Sequence, residues 1–271
     1  MKIISYDCFS GISGDMNLGA MIDLGIDKTY LIGELNKLNL KGWELIVQKD
    51  QRHGITGTKV TVKQTRHEHA HRHLSDIEKI INDSSLDNKT KELSMKIFMK
   101  IATAEASVHG ISIDHVHFHE VGAVDSIIDV VVAAICFNAL KVDGVHVSTV
   151  ELGSGFVKCD HGKLPVPAPA TAEIIKGIPV KKGGVDFEAT TPTGAAILAA
   201  LGTDFSADLP VKIEKTAYGV GQKDHHDVPN LLRVFLGETI SGSGSGHDAL
   251  HLECNIDDMN PEFFEYISDR L

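Results

Sequence analysis

Three histidines alternate with apolar residues within residues 114–125 of this 271-residue chain: His115, His117 and His119. In an extended segment successive side chains point to opposite faces, so the three imidazoles share one face while Val116 and Phe118 lie on the other. Neighbouring imidazoles can hold one metal ion, but the outer two are about 13 Å apart at about 3.3 Å per residue. The spacing therefore predicts a metal site in which two of the three histidines are ligands.

Two carboxylates, Glu120 and Asp125, follow these histidines closely. Either carboxylate can complete the coordination sphere, orient an imidazole from outside it, or accept a proton. Because imidazole suits zinc, copper, iron and nickel, the residue types alone leave the metal open. The competing interpretation is a solvated edge strand that is rich in histidine.

A second histidine cluster, here called the His tract, comprises His67, His69, His71 and His73. It lies between a strand-like run at residues 57–64 and a helix expected to begin near Ser75. Four imidazoles within seven residues are typical of a mobile, multidentate metal-binding tract. This composition favours a site that loads or buffers metal. The alternative is a polar loop that is partly protonated near neutral pH.

The loop at residues 7–15 lies between an expected strand and an expected helix, where backbone N–H groups and the helix dipole favour an anion. Its candidate binding residues are Asp7, Ser13, Gly14 and Asp15. The loop is not a P-loop, because Asp15 stands where a P-loop carries a lysine. We expect it to contact a phosphate either directly or through a bound cation. A simple tight turn is the competing interpretation.

A second helix start is encoded by residues 190–194, with Thr191 as the N-cap and Pro192 at the first helical position. Thr191, Thr193 and Gly194 offer hydroxyl and N–H groups to a phosphate, although capping alone explains the pattern equally well. Residues 218–227 give a weaker signal for a substrate-binding loop, because they mix glycines, cations and two histidines.

Composition narrows the class of protein. A formal charge of −11 without a basic patch argues against a nucleic-acid partner, because phosphate contacts dominate that kind of affinity. The longest apolar stretch, residues 127–137, is too short to cross a bilayer, so we expect no membrane association. The four cysteines are scattered and no amino-terminal signal region is found, which favours a reduced, cytoplasmic location.

Hydrophobic periodicity predicts an α+β fold, with a mixed sheet and packed helices whose topology the pattern leaves open. The helix at residues 124–135 is expected in the core, with Asp125 and Asp129 on one face of it. The predicted domains are residues 1–238 with the His tract, a Gly/Ser linker at 239–248, and the beginning of a truncated carboxyl-terminal domain at 249–271.

Four segments together match one known family. They are Asp-x-x-x-Gly-Ile-Ser-Gly-Asp-Met at residues 7–16, His-x-His-Glu-Val-Gly-Ala-Val-Asp at 117–125, residues 190–195 and residues 252–262. Through them the chain resembles, along essentially its whole length, the nickel-insertion protein family of nickel-pincer cofactor biosynthesis (LarC family). The resemblance implies a protein that inserts nickel into pyridinium-3,5-bisthiocarboxylic acid mononucleotide, forming the cofactor that activates lactate racemase.

The resemblance also implies a CTP-dependent chelatase of the lyase class. CTP would bind, with a divalent cation such as magnesium or manganese, mainly through a carboxyl-terminal domain of which only residues 249–271 are present here. Activity is then expected to need that domain, and a separately made second chain is one way to supply it. Lactate racemase is the expected downstream client, and we also expect a homo-oligomer.

The spacing suggests roles that the resemblance does not decide. His117 and His119 are the expected nickel ligands, Glu120 or Asp125 the ligand orienter or proton acceptor, and the His tract a delivery reservoir. The mononucleotide phosphate is expected at Ser13 and Gly14 or at residues 191–194.

Two other interpretations stay open. One is a nickel storage protein or metallochaperone without catalytic activity of its own, which predicts several weak sites, mostly in the His tract. The other is a metal-dependent phosphohydrolase that uses Asp7, Asp15 and the region of His117, although the resemblance argues against it.

Overall fold

A computed structural model describes residues 1–65, 72–118, 122–159, 161–206 and 211–240, together with Phe263 and Arg270. The chain divides into two compact units, Met1–Ile240 and Ser241–Leu271. Most of the expected linker and nearly all of the expected second domain lie outside the described residues. The fold is therefore that of the first unit.

The described residues form α-helices and β-strands in mixed order. The helices are α1 (Gly14–Asp23), α2 (Lys28–Leu35), α3 (Leu74–Asn82), α4 (Asn88–His109), α5 (Val124–Leu140), α6 (Pro169–Ile174) and α7 (Pro192–Leu201). The strands are β1 (Lys2–Asp7), β2 (Trp43–Arg52), β3 (Ile55–Gln64), β4 (Arg72–His73), β5 (His117–Phe118), β6 (Gly144–Val147), β7 (Val150–Glu151), β8 (Phe156–Cys159), β9 (Gly162–Pro165), β10 (Val180–Lys181), β11 (Val211–Val220) and β12 (Leu231–Thr239). Short 3-10 helices are found at Asn36–Leu38 and Ile113–His115.

Six of these strands form a mixed sheet in the order β2-β3-β11-β12-β1-β6. Strand β1 pairs in parallel with β6 and antiparallel with β12, while β3 pairs antiparallel with β2 and in parallel with β11. The α+β prediction with a mixed sheet is therefore confirmed. Helix α1 packs on β3 and β11, and α5 packs on α1 and α4.

Helix α5 lies in the core, as its periodicity predicts. Residues at three- and four-residue spacing, such as Ile127, Val131 and Ile135, are buried. Cys136 is also buried. Burying this apolar surface is the main source of stabilisation for the helix, because each fully buried aliphatic side chain contributes about 1.5–3 kcal/mol.

Helix α1 touches the sheet backbone to backbone. A Cβ atom added to Gly219 on β11 would lie 1.8 Å from the carbonyl oxygen of Met16, and one added to Gly19 would lie 2.3 Å from the carbonyl oxygen of Thr58. These distances are far below van der Waals contact, so no side chain fits at either position. The contact fixes where the first turn of α1 lies.

Two boundaries differ from the sequence prediction. Strand β11 continues to Val220, into the expected substrate loop, because its antiparallel pairing with β12 continues through Tyr218 and Gly219. The first three residues of the expected substrate loop are therefore strand. Residues 113–115 form a turn of 3-10 helix, so the extended segment predicted around His115 is wrong at that residue.

The contact of α1 with the sheet gives a stability prediction. Replacing Gly219 with Ala should lower the free energy of unfolding by about 3 kcal/mol, because the methyl group overlaps the Met16 carbonyl. Gly33 within α2 is the matched control, since nothing lies within 4 Å of an added Cβ. Gly33→Ala should raise the stability by about 0.5–1 kcal/mol. Urea unfolding measures both, and equal effects of the two changes would contradict the proposed contact.

Candidate functional site

Strands β4 and β5 bring the two histidine clusters together. They pair antiparallel with His73 opposite His117, and the two imidazole ring centroids are 4.0 Å apart. His73 stands just before α3, and its backbone N–H donates to the Asp76 carboxylate at 2.9 Å. His73 and His117 are here called the His pair. They bring the last residue of the His tract next to the histidine at the centre of the first cluster.

The neighbours of His117 hold it at the surface. Val116 and Phe118 are each only 1% exposed, whereas the side chain of His117 faces solvent. Phe118 packs against Phe98 of α4, with ring centroids 6.5 Å apart. The predicted alternation of apolar and imidazole faces is confirmed across residues 116–118, and it anchors an exposed imidazole through buried neighbours.

His115 does not lie on this strand. It ends the 3-10 turn Ile113–His115, and its Nδ1 atom is 2.9 Å from the Ser112 hydroxyl. Because the turn breaks the two-residue period, His115 is not held on a common strand face with His117. A metal-binding role for His115 stays a prediction.

Several predicted metal-site residues lie outside the described residues: His67, His69, His71, His119 and Glu120. Their roles stay predictions. Within the part of the chain that the structure describes, no group of three or more His, Cys, Asp or Glu side chains is arranged to hold a metal ion. The His pair therefore offers two imidazole ligands, and further ligands would have to come from elsewhere.

A hydrogen bond connects the His pair to the start of α5. The Arg72 guanidinium donates to the Gly122 carbonyl at 2.6 Å. A Cβ atom added to Gly122 would lie 2.7 Å from the carbonyl oxygen of Phe118, so this segment packs directly on β5. Two residues further on, α5 begins, and its first turn carries Asp125.

A pocket of about 380 Å³, here called the central pocket, lies where α1, α5 and α7 begin. Its lining comes from the starts of these three helices, from β3 and from two connecting segments. The lining residues are Ser13, Gly14, Asp15, Thr61, Val62, Asp125, Ser126, Asp129, Glu188, Thr191, Pro192, Thr193 and Gln222. The first turn of each helix carries N–H groups without intrahelical partners. The amino-terminal ends of three helices therefore face the central pocket.

The loop before α1 is joined directly to the start of α7. The Thr191 N–H donates to the Ile12 carbonyl at 3.1 Å, and the Thr191 hydroxyl caps α7 by accepting from the Gly194 N–H at 3.2 Å. The predicted N-cap is confirmed. A Cβ atom added to Gly194 would lie 2.2 Å from the Ile12 carbonyl oxygen, so the approach requires glycine. The two segments predicted separately as phosphate sites thus lie beside one pocket.

Asp15 is saturated with hydrogen bonds. Its carboxylate accepts from the Ser13 hydroxyl, from the Met16 N–H at 3.0 Å and from the Gln222 amide at 2.8 Å. These bonds close the first turn of α1 and fix Gln222 across the pocket. Asp125 makes a longer contact, with its Oδ1 atom 3.4 Å from the Gln64 amide nitrogen.

Asp129 lies one turn beyond Asp125 on α5. Its Oδ1 atom is buried and has no hydrogen-bond partner among the described residues, and its carboxyl group packs against Gly14. Burial raises the pKa of Asp129 well above the ordinary carboxyl value, and the charges of Asp15 and Asp125 raise it further. A side chain at Gly14 would collide with this carboxyl group, since an added Cβ would lie 2.2 Å from Oδ2.

Asp7 does not line the central pocket. Its Oδ2 atom accepts from the Arg233 guanidinium Nε at 2.8 Å, across the pairing of β1 with β12. Because the ion pair satisfies the Asp7 carboxylate, no bound ligand is needed to explain this residue. Asp7 is therefore not brought together with Asp15, although both were predicted to bind the same group.

Sequence reasoning missed several lining residues. Gln222, Glu188, Thr61 and Ser126 line the central pocket, and Lys223 lines a smaller adjoining pocket of about 170 Å³. Only Gln222 and Lys223 had a signal, since they lie in the stretch expected to bind substrate. Thr61 lies on a strand and approaches the pocket only through the sheet topology.

An imidazole pair with one exposed ring, a hydrogen-bonded connection to a helix start and a polar pocket would suit a protein that handles a metal ion and a small polar molecule. Comparison with known proteins specifies the family. The model of the nickel insertion protein family matches residues 4–271. The chain belongs to this family.

Two relatives carry a specific name, pyridinium-3,5-bisthiocarboxylic acid mononucleotide nickel insertion protein. The one from Clostridium kluyveri is 54% identical, over 100% of this chain and 70% of the relative. The one from Clostridium acetobutylicum is 51% identical, over 100% of this chain and 72% of the relative. No solved structure is significantly similar to the chain. None of the described helices is long and apolar enough to cross a membrane.

The environment of Asp129 predicts a pH dependence of stability. The pKa of Asp129 is higher in the folded chain than in the unfolded chain, so the folded chain binds more protons between about pH 4 and the raised pKa. The free energy of unfolding therefore falls as pH rises through this range. Asp129→Asn removes the effect. The variant should gain stability relative to the parent by up to about 1.4 kcal/mol per pH unit until the raised pKa is passed.

Urea unfolding of both proteins across this pH range measures the difference. Asp227→Asn is the matched control, since the side chain of Asp227 is 83% exposed, and its profile should follow that of the parent. Parallel profiles for Asp129→Asn and the parent would show that Asp129 is not held in its neutral form.

Proposed function

We propose that the chain receives nickel at the His pair and inserts it into pyridinium-3,5-bisthiocarboxylic acid mononucleotide held in the central pocket. Family membership supports nickel and this substrate, which two close relatives carry in their names. The observation that carries the assignment of residues is the pairing of β4 with β5. It sets His73 against His117 with ring centroids 4.0 Å apart.

The His pair suits a metal that must be passed on. Neutral imidazole nitrogens bind nickel, and two such ligands leave coordination positions open for an incoming molecule. Because His117 is exposed, the metal can enter from solvent or from the neighbouring His tract. We propose His119 as a further ligand and His67, His69 and His71 as the reservoir.

The central pocket suits the substrate in size and polarity. Its volume of about 380 Å³ falls within the range of small-molecule sites. The first turns of α1 and α7 offer N–H groups to the mononucleotide phosphate, next to Ser13, Thr191 and Thr193. The bond from Arg72 to Gly122 supports a short route from the His pair to this pocket.

Insertion replaces a carbon–hydrogen bond with a carbon–nickel bond, while two thiocarboxylate sulfurs also bind the metal. The ring carbon keeps the electron pair, so a base must take the proton. We propose Asp125 or Glu120 for this step. Asp125 lines the central pocket, which supports it as the acceptor.

The resemblance alone supports a further set of proposals. We propose a lyase-class chelatase that uses CTP with magnesium or manganese, bound mainly by a carboxyl-terminal domain that begins at residues 249–271. A separately made chain can supply that domain, lactate racemase is the client, and the protein acts in the cytoplasm as a homo-oligomer. Measuring CTP turnover by this chain with and without an added carboxyl-terminal domain tests whether the use of CTP depends on that domain.

The nickel assignment is tested by equilibrium dialysis on the full chain. Changing His73 and His117 to Ala should abolish the tightest nickel site, because the pair supplies its two described ligands. The exposed His226 is the matched control, and His226→Ala should leave that site intact. A variant with His67, His69 and His71 changed to Ala should keep the tight site and lose only weaker binding.

Two outcomes contradict this assignment. A tight site that survives without His73 and His117 would place nickel elsewhere. Loss of all tight binding only in the variant of His67, His69 and His71 would instead support the nickel-storage alternative, in which the His tract itself is the binding site.

A further inference from the structure

The central pocket has an excess of negative charge. Four of its lining residues are carboxylic acids, namely Asp15, Asp125, Asp129 and Glu188, and no Lys, Arg or His is among the described residues that line it. Each helix start contributes about half a positive charge, so three of them offset fewer than two carboxylates. A ligand that carries only negative charge does not fit this field.

One carboxyl oxygen in the pocket lacks a hydrogen-bond partner among the described residues. Asp15 accepts three hydrogen bonds, and Asp125 is in contact with the Gln64 amide. The buried Oδ1 atom of Asp129 has no such partner among the described residues. Leaving a buried polar atom unpaired costs about 1–3 kcal/mol, so this oxygen calls for a partner that the described residues do not supply.

We propose that the central pocket binds the cationic pyridinium ring of a mononucleotide, and that Asp129 supplies the carboxylate that recognises the ring's positive charge. This inference rests on the proposed function and deepens it. A pyridinium mononucleotide carries both charges that the pocket needs. Its phosphate suits the starts of α1 and α7, and its positively charged ring nitrogen suits the carboxylates on α5. The two thiocarboxylates of the proposed substrate, at ring positions 3 and 5, lie on the side of the ring away from that nitrogen.

An organic cation fits better than a bare metal ion. The described carboxylates do not form a group of three arranged for metal coordination, whereas the volume of about 380 Å³ accommodates a ring and a sugar phosphate. Gly14 contributes to this shape, because its missing side chain leaves room for the Asp129 carboxyl group. The ring would then lie between the first turns of α1 and α5.

Binding of a cation must release a proton from Asp129. In the empty pocket, burial and the charges of Asp15 and Asp125 raise the pKa of Asp129. A positive ring favours the ionised form and lowers that pKa, so the bound state holds fewer protons and the affinity rises with pH. Of the other described charged groups near this site, Glu188 lines the central pocket with Asp129, and Lys223 lines the adjoining pocket.

The test compares two probes that differ in ring charge. Nicotinamide mononucleotide has a pyridinium ring, and its reduced form has a neutral dihydropyridine ring with the same sugar phosphate. Measured by calorimetry, the affinity of the full chain should be at least about tenfold higher for the oxidised probe than for the reduced probe. A tenfold ratio corresponds to a change of about one unit in the pKa of Asp129 on binding. Asp129→Asn should lose most of this preference, and Asp83→Asn, at an exposed residue outside every candidate site, should keep it.

The pH dependence gives a second measurement. The ratio of the affinities for the oxidised and the reduced probe should rise with pH, and the oxidised probe should release more protons on binding, as detected from heats in buffers of different ionisation enthalpy. The phosphate, which titrates near about pH 6, is the same in both probes and cancels in this comparison. Asp129→Asn should remove the difference between the probes. If that variant fails to fold, the difference in proton release between the two probes on the parent chain still decides the question.

Three results would overturn the inference. They are equal affinities for the two probes, no measurable binding of either probe at millimolar concentration, and a ratio of the two affinities that falls as pH rises. The last result would instead indicate that the protonated form of Asp129 binds the oxidised probe. Nickel dialysis on the same preparation separates these failures from a failure of the proposed function, because the His pair is tested without any nucleotide.

Discussion

The contact between the backbones of α1 and β11 is the constraint on which the rest of the site depends. Gly219 and Met16 approach so closely that not even a methyl group fits between them. Because a rigid helix begins a fixed distance from any point along it, this contact also fixes Ser13, Gly14 and Asp15 at the end of the sheet. The Asp15 carboxylate then orients Gln222, which follows β11 in the chain.

The same principle operates where the loop before α1 meets α7. The bond between Thr191 and Ile12 and the close approach of Gly194 leave the two helix starts side by side. Asp129 reaches them from α5, where it lies one turn beyond Asp125 on a helix whose buried residues are apolar. Its carboxyl group packs on Gly14 and so is buried by the helix start that it faces. The close approach of these backbone segments therefore forms the central pocket and sets the environment of the Asp129 carboxyl group.

Local patterns predicted the parts of this arrangement that depend on nearby residues. The apolar period of α5, the capping role of Thr191 and the alternation of Val116, His117 and Phe118 all follow from short-range rules. The pairing of β4 with β5 does not, because it joins residues more than forty positions apart through two strands of two residues each. Thr61 and Glu188 reach the pocket through tertiary structure alone. The ion pair of Asp7 with Arg233 also depends on strand order, which the sequence left open.

The two candidate sites differ in a way that suits transfer. In the proposed function the His pair, which includes an exposed imidazole, offers ligands that exchange a metal ion readily, whereas Asp129 lies beside Asp15 and Asp125. A nickel ion that leaves the imidazoles for the pocket moves toward more negative charge, so the electrostatic gradient favours transfer in that direction. A bound substrate places its cationic ring beside these carboxylates and so weakens their attraction for free nickel. The same substrate presents its own sulfur ligands to the metal. The pocket would then retain nickel mainly as part of the substrate, which separates insertion from storage.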